Sequence, residues 1–318
     1  MQDATPRQRG GQSIARNAGY LLGSQLLMYM VRLFYTFGLA YYLGPKLYGL
    51  FSYGQSWYLA LLPLTGLGFM EILSREIGRD RRQGSEVVAQ TWTLLIPLVT
   101  VLAVGSSLAG WWIEDQMEVR WLILIFSAAL MGQALSNWTA MVFMAYEATQ
   151  YAFRQGGIFR PLDVACALGA LLTGYGVMAV ASIHAISWWV QSLQGIMLIR
   201  RHFVPVRYIW QWRPLWRLLR QGLPIAAGIF CVTWLLQGPL VIFRLVAGEQ
   251  ADLGELALAI KALIPLSTFA ATIPAAALSH QGATRQYGWC VYGEHVTDRL
   301  APWCRGRLPG HEFRAACH

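Results

Sequence analysis

Charge is scarce in this chain. Asp, Glu, Lys and Arg together make up 13% of its 318 residues, where a soluble domain carries about a quarter. That shortage excludes a sizeable soluble domain, and no stretch of the sequence resembles one. Cysteine is also thin: Cys166 and Cys231 sit inside apolar stretches and Cys290, Cys304 and Cys317 crowd the C-terminal end. Such a distribution gives no disulfide framework and implies no oxidising compartment. No nucleophile motif, phosphate-cradling Gly-rich loop or carboxylate pair beside a soluble cleft is present. The chain is therefore not expected to be an enzyme, nor to hold a cofactor or metal. A cleaved leader is not expected either, because a polar N-terminal stretch precedes the first apolar run and no small-residue cleavage site follows it.

What is abundant is apolar sequence: 56% of residues, with a mean hydropathy of +0.41. These values place the chain among all-α integral membrane proteins, because a span needs about 20 apolar residues. The apolar runs predict about eight spans, near 18–43, 47–72, 91–113, 121–145, 157–178, 180–199, 222–247 and 253–279. Residues 1–17 would form a cytoplasmic N-terminus, 18–199 a first bundle of six helices, and 222–280 the first two helices of a second.

The net charge of +9 does not point to nucleic acid, because the basic residues lie in short loops rather than on one face. Arg7, Arg9, Arg16, Arg75, Arg79, Arg81, Arg82, Arg154, Arg160, Arg200, Arg201, Arg207, Arg213, Arg217 and Arg220 fall on one side of the spans, with only Lys46 and Arg120 opposite. That asymmetry puts both termini in the cytoplasm. Residues 200–221 set Trp210, Trp212 and Trp216 among arginines, as in a helix lying in the headgroup plane against anionic lipid. A plain linker between bundles fits them equally well. Small residues such as Gly19 and Gly23 let helix backbones approach closely. Prolines at 63, 97, 161, 224, 239, 265 and 274 predict kinks or breaks inside spans. Gly44-x4-Gly49 is echoed by Gly248-x5-Gly254, which suggests parallel repeats of six helices.

The hinge Leu43-Gly44-Pro45-Lys46-Leu47-Tyr48-Gly49, preceded by Ser13-Ile14-Ala15-Arg16-Asn17 and followed by Gly66-Leu67-Gly68 and Ser74-Arg75-Glu76, resembles the polysaccharide and oligosaccharide flippases of the multidrug/oligosaccharidyl-lipid/polysaccharide exporter superfamily. Leu253-Gly254-Glu255-Leu256-Ala257 and Ile273-Pro274-Ala275-Ala276 are similar to the eighth helix of that family and its end. The resemblance implies two helical bundles around a cationic cavity that opens alternately to the two sides. It further implies a bacterial inner-membrane protein moving polyprenyl-pyrophosphate-linked glycan. Its partners would be membrane lipids and the polymerase and glycosyltransferases of glycan assembly. The family has more helices than this chain offers. Residues 281–318 match neither its pattern nor an apolar span, as expected of a frameshifted or truncated gene, or of an inactive fragment. Cys290, His295, Cys304, His311 and Cys317 lack the paired spacing of a zinc site.

Arg32, near the middle of the first span, is the principal candidate for holding a phosphate, since a cation at that depth must face protein or water. Its alternatives are a structural carboxylate pair or snorkelling. Lys261 is a second phosphate contact from the other bundle, and Arg244 either a third or a snorkelling residue. Gln25, Gln133 and Asn137 would line the cavity or bond neighbouring helices. Asp163 and His184 could carry a coupling proton or ion, although Asp163 also stands three residues from Arg160, the spacing of a local helical ion pair. A drug exporter of the same superfamily would favour acidic cavity residues, and a membrane-bound glycosyl- or acyltransferase a polar catalytic loop. His184 and His202 alone do not make one.

Overall fold

The computed structural model describes residues 6–247 and 252–263, with side chains from residue 30 onward except those of Arg32, Met70, Glu71 and Ala247. The chain divides into units 1–262 and 263–318, and the second falls outside the described residues apart from Leu263. The last expected span beyond 263 and the Cys- and His-rich tail lie there.

The described residues are helical throughout, joined by short connections. Helix α1 (Pro6–Gly66) is two arms broken at Gly44, which takes φ 70° and ψ 170°. Glycine tolerates that positive φ, and Pro45 disfavours helical geometry at the residue before it. The first two expected spans are thus arms of one kinked helix. The second arm stops at Gly66, short of the expected 72, because Leu67 (φ 39°) and Gly68 (φ 60°) both turn left-handed. A separate short helix follows, α2 (Phe69–Arg79). It is amphipathic: Ile72, Leu73 and Ile77 are buried while Ser74, Arg75 and Arg79 are exposed.

A 3-10 turn, Arg81–Gln83, is capped by the Asp80 carboxylate, which accepts from the Arg82 backbone N–H. Then come α3 (Gly84–Ile113), α4 (Met117–Ala145), α5 (Thr149–Leu172), α6 (Val177–His202) and α7 (Trp212–Ala247). Residues 252–263 form the final described helix, α8. The fifth and sixth spans divide at 173–176 rather than near Met178, where Gly174 takes φ 86°. The basic aromatic segment is split. Residues 203–211 contain no helix, and Trp212–Gln221 are the first turns of α7 rather than a helix of their own.

Among the described residues, three helical stretches are long and apolar enough to cross a bilayer: Arg81–Ile113, Met117–Ala145 and Trp212–Val246. The chain is a multi-pass membrane protein. Its outer surface agrees, with Phe34, Tyr41, Val101, Trp112, Leu235 and Val246 all exposed, an apolar surface suited to lipid contact.

Helix α4 is central, packing on α1, α2, α3, α5 and α6, while α7 lies against α1. The core forms two apolar clusters. One gathers Leu43, Tyr48, Phe51, Val119, Phe126 and Val180 with Leu253 and Ala257 of α8. The other gathers Leu67, Phe69, Ile77, Val87, Trp138 and Phe143. Along α4 the first cluster ends at Leu130 and the second begins at Ala134. A polar network borders the first cluster, whose member Tyr58 and neighbour Trp188 both reach His184.

Candidate functional site

This polar network is built by three helices that each place hydrogen-bonding residues at helical spacing. On α5, Arg160 and Asp163 are three residues apart; on α6, His184, Trp188 and Gln191 fall at i, i+4 and i+7. On the second arm of α1, Ser52, Gln55 and Tyr58 follow at intervals of three. Residues so spaced share one helix face, and these faces converge.

Asp163, only 5% exposed, is the pivot. Its Oδ2 lies 3.1 Å from His184 Nδ1 and 3.6 Å from an Arg160 guanidinium nitrogen. The opposite ring nitrogen, His184 Nε2, receives the Trp188 indole N–H at 3.1 Å and lies 3.0 Å from the Tyr58 hydroxyl. An indole N–H can only donate. Nε2 is therefore an acceptor, and the proton of His184 sits on Nδ1, donated to Asp163. Arg160 stacks over the Trp188 ring at 3.5 Å and donates to Gln191 Oε1 at 2.6 Å. Gln155 in turn donates to the Gln191 carbonyl oxygen at 2.6 Å, tying α5 to α6.

A cavity of about 290 Å³ opens beside this network, lined among others by Tyr35, Gln55, Gln133, Arg160, Asp163 and His184. Among the described residues, buried atoms on its wall without a hydrogen-bond partner include Asp163 Oδ1, Gln133 Oε1 and the Tyr35 hydroxyl. Buried polar groups are nearly always satisfied, and an orphan costs about 1–3 kcal/mol. Orphans gathered around one void leave it able to bond a polar guest.

Lys261 reaches this wall from α8. Its Nζ donates to Gln55 Oε1 at 2.6 Å and to Ser52 Oγ at 3.0 Å, beneath the Tyr48 and Phe51 rings. Gln55 thus joins the lysine to the cavity. Among the described residues, Arg160 and Asp163 stand on the cavity wall and Lys261 reaches it through Gln55.

The remaining candidates separate. Arg244 is 8% exposed and pairs with Glu114 Oε2 at 3.3 Å, away from the cavity wall. Asn137 lines a different void of about 210 Å³ with Pro63, Gly66, Phe69 and Trp138. The side chains of Gln25 and Arg32 lie outside the described residues. Arg32 stands in α1 between Val31 and Tyr35, which both line the cavity. Sequence reasoning treats Arg160 only as a topology marker or ion-pair partner and passes over Tyr35, Gln55, Tyr58, Trp188 and Gln191. The Ser52–Gln55–Tyr58 stripe within an apolar span is the signal that could have found them.

Among the described residues, no group of three or more His, Cys, Asp or Glu could hold a metal ion. Comparison with curated proteins and with solved structures gives no match. One family does match, described as polysaccharide biosynthesis protein and spanning residues 14–278. The chain belongs to this polysaccharide biosynthesis family, a membrane family of transport rather than catalytic type.

Proposed function

We propose that the protein is a flippase that moves a polyprenyl-pyrophosphate-linked oligosaccharide across the bacterial inner membrane by alternating access, breaking and forming no covalent bond. The observation that carries the reading is a polar cavity with Arg160 on its wall and Lys261 joined to it through Gln55. A charge pair at 4 Å gains about 4 kcal/mol at an effective dielectric of 20. A pyrophosphate would add charge pairing to the hydrogen bonds that Lys261 makes with Ser52 and Gln55. Arg32 is a further phosphate contact in this reading, Gln133 a polar wall residue, and Gln25 and Asn137 lesser candidates. A cationic drug is a poorer cargo, because Arg160 and His184 already answer Asp163.

Helices α5 and α6 have 24 and 26 residues, about 36 and 39 Å at 1.5 Å per residue. Both exceed a hydrocarbon core of about 30 Å. They and the arms of α1 join the three strongly apolar helices as spans, with arginine-rich loops and both termini in the cytoplasm. The partners are lipids at the Trp212–Gln221 end of α7 and the enzymes that assemble and polymerise the glycan.

Asp163 and His184 form the coupling site. The orphan Asp163 Oδ1 is free to take a proton or cation. Doing so would weaken its hold on Arg160 and release that guanidinium toward phosphate.

Export of a surface glycan in a cell that depends on this protein tests the assignment. Lys261→Ala and Arg160→Ala are each expected to lower export at least tenfold at unchanged membrane abundance. Normal export by both variants would overturn it.

A further inference from the structure

A further void opens where α1, α3 and α7 meet. It measures about 400 Å³ and is walled by Trp57 of α1, by Val101, Gly105 and Ala109 of α3, and by Trp234 and Val241 of α7. It shares no lining residue with the polar cavity, which takes Gln55, Tyr58 and Leu59 from other faces of the same α1 arm. Val101 and Trp234 are both exposed, so this groove faces the bilayer rather than the bundle interior. Of its polar groups, the Trp57 indole N–H is given to Ser106 Oγ at 3.0 Å, and that hydroxyl also bonds Ser127 of α4 at 2.9 Å.

Two of the walls are set in advance. Ser106 holds the edge of the Trp57 ring, while Trp234 stacks on Phe230 at 5.9 Å and lies against Gly238, where a Cβ would come within 3.1 Å of the indole. At Gly105, by contrast, a Cβ would meet nothing within 4 Å, so the missing side chain leaves room there. Water is a poor occupant, because an ordered molecule needs two to four polar partners and the Trp57–Ser106–Ser127 groups already serve one another. An empty groove forfeits dispersion contacts along its lining. What stands on its open side is hydrocarbon. Val101 and Ala109 lie 12 and 4 residues before Ile113, the last residue of α3, about 18 and 6 Å down the helix. That depth is one half of a hydrocarbon core about 30 Å thick. Trp112, seven residues beyond Gly105 and so on the same helix face, is exposed at the top, where an indole favours the headgroup boundary.

We propose that this groove is a binding site for one acyl chain of an outer-leaflet phospholipid, seated between the two indoles as a wedge where α7 meets α3. The site does not depend on what the protein carries, and the loop arginines decide only which leaflet supplies the chain. Helix α7 has the most to gain. Among the described residues, 22% of its most apolar window is buried, against 56% and 61% for the windows of α3 and α4. A chain in the seam joins α7 to α3 through contacts that the two helices do not make directly. Ring walls already held in place lower the entropic cost of ordering a guest, so this chain is retained in preference to the lipid around it.

The test is photolabelling of the full chain in phosphatidylethanolamine–phosphatidylglycerol vesicles that contain a phospholipid with a diazirine midway along one acyl chain. Labelled residues are then located by peptide mass spectrometry. Labelling at 101–109 and 234–241 is expected to exceed several-fold that at 161–172 of α5, where Leu162 and Leu172 are likewise exposed. Gly105→Leu, which fills the groove, should remove that excess and leave α5 unchanged. Gly169→Leu, at an exposed position of α5 where a Cβ also meets nothing within 4 Å, should leave the excess intact. Even labelling of all the exposed helices, a groove left unlabelled because another segment or a second copy covers it, or an excess that survives Gly105→Leu would overturn the proposal. A polyprenyl phosphate, added in an amount equal to the labelled lipid, separates the two sources of hydrocarbon. Persistence of the label supports a phospholipid chain, and its displacement would show a groove that prefers isoprenoid and so overturn the assignment. Should Gly105→Leu fail to accumulate, the wild-type pattern and this competition decide. Glycan export enters none of these readings, so the lipid site and the transport reading can fail independently.

Discussion

Two buried ion pairs, alike in composition, differ in how completely they are satisfied. Glu114, 5% exposed, gives one carboxylate oxygen to Arg244 and the other to Tyr53, while its backbone carbonyl accepts the Arg120 guanidinium at 2.6 Å. Asp163, equally buried, places Oδ2 between His184 and Arg160 and leaves Oδ1 without a partner beside a cavity. The first cluster is closed chemistry, where each carboxylate oxygen has its donor and no lining residue of the central cavity is involved. The second keeps bonding capacity in reserve. A membrane protein can hide charge in both ways, but only an incomplete arrangement has something to offer a ligand.

The sharpest way to break the comparison is to remove one acid from each pair. Glu114→Ala leaves Arg244 buried without its carboxylate, for which about 3–5 kcal/mol of destabilisation is expected. A large fall in the aggregation temperature of the detergent-solubilised protein would register it. Glu114→Leu combined with Arg244→Met removes both charges and should recover most of that loss, since apolar replacement of a buried pair is often neutral or better. If the double variant is as unstable as the single one, the cluster is not a self-contained unit. Asp163→Asn keeps the shape and an acceptor for His184. It should cost little more than about 1 kcal/mol of stability while lowering glycan export at least tenfold. Equal stability losses for Glu114→Ala and Asp163→Asn would erase the contrast between the two sites.

The contrast also separates what could be read from sequence from what could not. The break at Gly44-Pro45 was legible because glycine and proline impose it locally. The Arg160–Asp163 pair was legible because its partners sit one helical turn apart. Glu114 and Arg244 are 130 residues apart in sequence, so nothing local announces their pairing, and Arg244 reads by itself as a phosphate contact or a snorkelling cation. The break at Leu67 was hidden for a related reason. A leucine with positive φ is unfavourable in isolation, and the close approach of Gly222 and Ile225 on α7 is what holds it there. Orphan oxygens on a cavity wall are the least legible feature. Satisfaction depends on every neighbour at once, and Gln133 or Tyr35 in an apolar run looks the same with a partner or without.

Tyr35→Phe should have the smallest effect on stability and the most informative one on function. Its hydroxyl is buried on the cavity wall with no partner, so deleting the oxygen removes a desolvated group and breaks no hydrogen bond. Stability is expected to stay level or rise by about 1 kcal/mol. If the hydroxyl is held in reserve for a ligand, export should nevertheless fall, by several-fold rather than by the tenfold or more expected at Asp163. Unchanged export in a stabilised Tyr35→Phe protein would show that this orphan is a packing defect. The reserve of bonding capacity would then narrow to Asp163 and Gln133. A fall in export with undiminished stability has no structural explanation in the closed sense of Glu114, because no contact of the resting protein has been removed.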